Sequence, residues 1–106
     1  MPKYLVVASY TADGVKGVLK DGGSKRRQAA ESALKSVGGK VDAFYFAFGE
    51  HDVYAIIDAP DNVSVAAASL AIGASGLVHT RTVVLLTPEE VDQATKKTAS
   101  YQAPGR

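Results

Sequence analysis

The chain has 106 residues, 46% hydrophobic and 22% charged, which is the scale and balance of one globular domain and excludes a disordered chain. Twelve basic against eleven acidic side chains give a formal charge of +1, so no long-range field draws nucleic acid or a membrane surface. The absence of cysteine removes disulfides, thiolate catalysis and Cys-based zinc or iron–sulfur sites, and it fits a reducing cytoplasm.

Three Phe, five Tyr and no Trp leave most of the core to Ala, Val and Leu. The N-terminal Met1-Pro2-Lys3-Tyr4 lacks the long apolar segment and cleavage site of a signal peptide. From Asn62 to Val78 no residue is charged, but Ala, Gly and Ser dominate that stretch. It reads as a buried helix running into a strand, not as a membrane span.

In chain order, Lys3 to Tyr10 predicts a first strand carrying Leu5, Val6 and Val7. Thr11-Ala12-Asp13-Gly14 breaks it, and Val15, Val18 and Leu19 suit a short helical turn. Gly22-Gly23-Ser24 opens the first long helix, with Ser24 as the expected N-cap. Ala30, Ala33, Leu34 and Val37 recur at helical spacing before Gly38-Gly39 stops it.

A second strand is expected from Lys40 to Phe48, with Phe44, Phe46 and Phe48 on one face and Ala43, Tyr45 and Ala47 on the other. Gly49-Glu50-His51-Asp52 reads as a hairpin turn into a third strand, Val53 to Asp58. Pro60-Asp61-Asn62 starts a second long helix running to about Ile72, ended by Gly73 to Gly76, and Leu77 to Leu86 forms a fourth strand. Thr87-Pro88-Glu89-Glu90 is the strongest local signal: a cap, a proline suited to the first helical position and a capping-box glutamate. A peripheral helix over about residues 88–98 follows, with a frayed tail over 99–106.

The order predicts an α+β, ferredoxin-like βαββαβ domain over residues 1–106, with its core over about residues 3–87. Its four-stranded antiparallel sheet takes the order 4-1-3-2, and both long helices lie on one face. The strands are apolar on both sides: Tyr4, Val6 and Ala8 against Leu5 and Val7, and Val53, Ala55 and Ile57 against Tyr54 and Ile56. An antiparallel sheet with one wet face alternates more cleanly. Two helices cover one face only, so a second copy is expected against the other, giving a homodimer or higher oligomer. The second long helix agrees, being apolar on two sides through Val63, Ala66, Ala67 and Leu70 and through Val65, Ala68 and Ile72.

Three segments resemble the GYD domain family of small bacterial and archaeal proteins without an assigned activity: Gly49-Glu50-His51-Asp52-Val53, Ala59-Pro60-Asp61, and Gly76-Leu77-Val78-His79-Thr80-Arg81-Thr82. The resemblance covers roughly Tyr4 to Thr87 and departs at His51, where the family's name-giving tyrosine is expected. The family is similar to the dimeric α+β barrel superfamily, in which two ferredoxin-like sheets close on each other. That superfamily includes small monooxygenases, lactone isomerases, haem-binding enzymes and ligand-binding regulatory domains. Kinship at fold level implies a dimer and assigns no reaction.

No dinucleotide fingerprint, phosphate loop, HExxH or metal-spaced His pair is present. The topology gathers polar candidates at one sheet edge. Tyr10 ends strand one there, His51, Asp52 and Tyr54 open strand three, and His79 and Arg81 open strand four. The first long helix begins at the same edge with Ser24, Arg26 and Arg27.

Tyr10, His51, Asp52, His79 and Arg81 are the catalytic candidates; Ser24, Arg26, Arg27, Tyr45 and Tyr54 are the ligand-binding candidates. Lys25-Arg26-Arg27 opposes the helix dipole, a conflict that a bound anion or a neighbouring carboxylate relieves. Asp52 alternatively binds backbone amides in its turn. No cofactor or metal is expected, with haem on His79 as the minor alternative. Tyrosines such as Tyr10, Tyr45 and Tyr54 are more often core or interface residues with a satisfied hydroxyl than catalytic acids.

These readings leave three classes of function open. They are a small homo-oligomer binding a small anionic ligand near the sheet edge or dimer interface, a cofactor-independent enzyme performing proton transfer or oxygenation, and a structural assembly unit without a ligand. Base stacking on Phe44, Phe46 and Phe48 is disfavoured by the near-neutral charge.

Overall fold

The computed structural model describes residues 1–106. Its elements run β1 (Lys3–Tyr10), α1 (Ala12–Asp21), α2 (Gly23–Ser36), β2 (Lys40–Phe46), β3 (Val53–Asp58), α3 (Asn62–Ala74), β4 (Val78–Leu85) and α4 (Pro88–Thr95). The four strands form one antiparallel sheet in the order β2-β3-β1-β4, which is the expected order read from the other edge.

Register assigns the faces. Tyr4, Val6 and Ala8 lie opposite Ile57, Ala55 and Val53, while Tyr10 lies opposite Val78. Leu34 of α2 and Val65 of α3 join Tyr4, Ala8, Val53, Ala55, Ile57 and Val78 in one buried cluster, so both long helices pack on this face. The other face carries Leu5, Val7 and Ser9 of β1, Tyr54 and Ile56 of β3, Ala43 and Tyr45 of β2, and His79, Arg81 and Val83 of β4.

Several local expectations are corrected. Thr11 caps a full ten-residue helix, its side chain accepting from the Gly14 amide, where only a short turn was expected. Ser24 is not the cap of α2. The helix begins two residues earlier, with Gly22 at the N-cap and no side-chain cap. Gly22 has φ +80°, which lets one residue end α1 and begin α2; a Cβ would be strained there.

Strand β2 ends at Phe46, and a bulge between Val41 and Ala43 shifts its register. Phe44 and Phe46 therefore face the helices, edge to face with centroids 5.4 Å apart, whereas Phe48 lies beyond the strand and is fully exposed. The apolar helix α3 buries only the stripe containing Val65 and Ala68; Val63 and Leu70 point outward at 77% and 74% exposure.

The capping box at α4 forms as expected. Thr87 Oγ1 accepts from the Glu90 amide at 3.1 Å and Glu90 accepts from the Thr87 amide at 2.9 Å. No residue of α4 is buried.

Candidate functional site

The candidate residues meet at one end of the fold, as the antiparallel order requires, but the sheet divides them into two groups. Residues directly opposite in register share a face. Ser9 pairs with His79, and Val7 lies between Tyr54 on one neighbour and Arg81 on the other. Tyr45 pairs with Tyr54. These side chains therefore belong to the uncovered face, and Tyr45, Tyr54, His79 and Arg81 are exposed there.

His51 reaches the same group from the β2–β3 hairpin. Its Nδ1 is 3.0 Å from Ser9 Oγ, and its ring lies edge-on to Tyr54 with centroids 6.3 Å apart. The hydrogen bond fixes the imidazole beside Ser9, with the donor set by the His51 tautomer. Glu50 lies 3.8 Å from His51 Nε2 and is exposed, too far for a hydrogen bond that would orient the ring. A serine–histidine–acid relay is thus incomplete.

Asp52 does not act with His51. Its carboxylate accepts the Tyr10 amide at 2.8 Å, and its own amide donates to Ala8 carbonyl at 2.9 Å. It ties the hairpin to the end of β1, the turn role open to an aspartate at that position.

The opposite end of the uncovered face is closed by charge. Lys3 donates to Asp42 and, at 2.8 Å, to Asp58, whose residue is 4% exposed; Lys40 stands 3.7 Å from the same Asp58. The hydrogen bond from Lys3, followed by one shared with Asp58, holds the Asp42 carboxyl below its usual range. The hydrogen bonds from Lys3, to Asp42 first and then to Asp58, raise the Lys3 ammonium.

Tyr10 and Arg26 lie on the helix side. Both line an apolar cavity of about 110 Å³ between α2 and the sheet, where 14 of 16 lining residues are hydrophobic. A groove of about 460 Å³ between α1, α2 and α3 shares Tyr10, Arg26, Ala29, Ala33, Ile72 and Val78 with it, so the cavity opens into the groove. Arg26 stands 3.7 Å from Asp21, and Arg27 stands 3.4 Å from Glu31 one turn on. Two neighbouring carboxylates thereby offset the basic first turn of α2. Ser24 and Arg27 are exposed and line neither space.

The family model of the GYD domain matches residues 4–95, from β1 through α4. The chain belongs to the GYD domain family. No curated protein and no solved structure gives a match.

In this GYD domain the His51-Asp52 pair splits its duties, one side chain lying against Ser9 and the other holding backbone. Ser9 is the residue that sequence reasoning missed. Its signal was available in the register, because position 9 alternates with Leu5 and Val7 onto the uncovered face. The cavity left no comparable signal, since it arises from small residues on three elements distant in sequence, β1, α2 and β3. No three His, Asp or Glu side chains come together in a metal-binding arrangement. No helix is long and apolar enough to cross a membrane.

Proposed function

We propose that this GYD domain is a small homo-oligomeric protein that binds a small anionic ligand at the sheet edge, with the helix side supplying the pocket and the uncovered sheet face supplying the contact with a second copy. One arrangement carries this reading: a single sheet has a small apolar cavity of about 110 Å³ behind it and an unshielded apolar surface in front. The cavity has few polar groups converging on it, among them the Arg26 guanidinium and Tyr10, the composition of a small-molecule site.

On the front face, Val83 is 48% exposed and Tyr45 71% exposed, beside Leu5 and Ile56. An apolar sheet surface is stabilised when a second sheet removes it from water. Only 13 of 106 residues are buried within one chain, so a large share of the apolar residues gains from a partner.

Native mass spectrometry at micromolar concentration tests the association, with a dimeric or larger mass expected. A monomer there overturns the oligomeric part. Retained small-molecule mass in the same spectra tests the ligand part.

One observation favours a second reading, a cofactor-independent enzyme. The Ser9–His51 contact, with Tyr54 against the imidazole and His79 and Arg81 alongside, sets proton-transfer groups on the face that a second copy would shield from water. A pH-rate profile abolished by His51→Gln is the signature expected of it.

A further inference from the structure

The cavity behind the sheet exists because small residues face small residues. Helix α2 turns Ala29, Ala30 and Ala33 toward the sheet, and the central strands answer with Ala8 and Ala55. Leu34 is the only buried side chain of that helix. Larger side chains at these positions would fill the space, so the small residues leave about 110 Å³ of apolar room that opens to the groove. By comparison, an engineered apolar cavity of about 150 Å³ stays dry and takes up benzene. The space here suits an apolar body of about four to six carbon atoms.

The mouth carries one cation and one carboxylate, Arg26 and Asp21, and only Arg26 also lines the cavity. Arg26 lines both the cavity and the groove outside it, and its side chain is 33% exposed. Its guanidinium makes no hydrogen bond within the chain: the nearest carboxylate, Asp21, is 3.7 Å away, beyond hydrogen-bond length. A planar fork of N–H donors without close acceptors is matched by a carboxylate, which accepts two parallel bonds. Thr80 is the only other charged or hydroxyl-bearing lining residue besides Tyr10, so the cavity has little to offer a polar ligand body.

Resting on the ligand reading proposed above, we infer that the ligand is a small monocarboxylate with a short branched or cyclic hydrocarbon body, the body inside the cavity and the carboxylate bidentate on Arg26. Asp21 then acts as the competitor that holds the guanidinium over the mouth until the ligand carboxylate takes its place.

Titration of the full chain with 3-methylbutanoate and with the neutral 3-methylbutanamide, followed by calorimetry and by methyl NMR shifts of Ala30, Ala33 and Ile72, tests this. The carboxylate is expected to bind about tenfold more tightly than the amide, the effect of one charge-assisted pair. Arg26→Gln is expected to erase that difference by weakening carboxylate binding about tenfold, to the level of the amide. Arg26→Lys keeps the charge without the fork and is expected to fall between. Asp21→Asn is expected to tighten carboxylate binding alone. Equal affinity for acid and amide on the unmodified chain overturns the carboxylate inference and leaves the cavity as a ligand site. Absence of binding by either compound, or shifts confined to His51 and His79, overturns the cavity site itself.

Discussion

Individual positions show where the chain tolerates no change. At Gly14, a Cβ would come 2.1 Å from the Leu77 carbonyl oxygen, with the Tyr10 Cβ 3.2 Å away. The obstacle is backbone, which cannot rotate aside, because Thr11 also donates its amide to the Leu77 carbonyl at 2.9 Å. Gly14→Ala is therefore expected to destabilise the domain by about 2–3 kcal/mol, the range of core overpacking, measured by urea unfolding. Gly17, in the same helix with nothing within 4 Å of its added Cβ, is the control and should accept Ala without loss. Tyr4 is a milder case. It is 1% exposed and its hydroxyl donates to Asn62 Oδ1 at 2.7 Å, so Tyr4→Phe keeps the packing and is expected to cost about 1 kcal/mol.

Elements were more legible in the sequence than the contacts between them. The capping box of α4 and the glycine stop after α2 are local signals, because the residues that form each lie within a turn of one another. Ser24 misled for a physical reason: it is a good capping residue placed two positions after a glycine that could reverse the chain at φ +80°, and the backbone took the glycine. The strand faces are legible through alternation, with Phe44 and Phe46 on one side and Ala43 and Tyr45 on the other even past the bulge at Val41/Ala43, whereas Phe48 falls outside the pattern because its strand ends at Phe46. The division of the candidate site between two sides of the sheet could be read only in part. Tyr10 and Ser9 are neighbours in sequence, yet one borders the cavity and the other touches His51.

Helix α3 carries a prediction at this scale. Asp61 caps it, accepting the Ser64 amide at 2.8 Å, and that bond, then one from the Ser64 hydroxyl, lowers its pKa below the usual 3.8. A carboxyl whose folded pKa is depressed adds stability that is fully present above the unfolded value and is lost as pH falls through the folded one. Asp61→Asn retains the side-chain oxygen for the cap. It is expected to flatten this part of the acid limb while changing neutral-pH stability little, as followed by circular dichroism between pH 5 and pH 2.

The whole molecule is longer than its residue count implies. A compact chain of this size has a radius of gyration near 13 Å, whereas this one has 16.9 Å and extends 56 × 33 × 22 Å. The excess belongs with the C-terminal arm, since α4 has no buried residue and the chain beyond it is exposed apart from Ala103. Yet the arm is not uniformly polar: Val91 and Tyr101 are 47% and 79% exposed. A helix with a strong cap, a weak apolar side and no surface of its own chain to rest on is stabilised by tertiary contact only if another copy provides it.

If the uncovered sheet face and the arm serve the same association, two changes should act on the oligomer and spare the domain. Val83→Glu puts a carboxylate on edge strand β4 beside Leu5 of that face, where a partner sheet would bury it unpaired. It is expected to yield monomers at micromolar concentration with an unchanged far-ultraviolet spectrum, because Val83 is already half in water within one chain. Removal of residues 88–106 deletes no buried side chain and is expected to weaken association by about tenfold or more in sedimentation equilibrium, with the unfolding midpoint of the monomer unchanged. Full-strength association after both changes would place the contact elsewhere and leave the face carrying Ser9, His51, His79 and Arg81 open to solvent. Proton-transfer chemistry there would then lose the water exclusion that a second sheet provides.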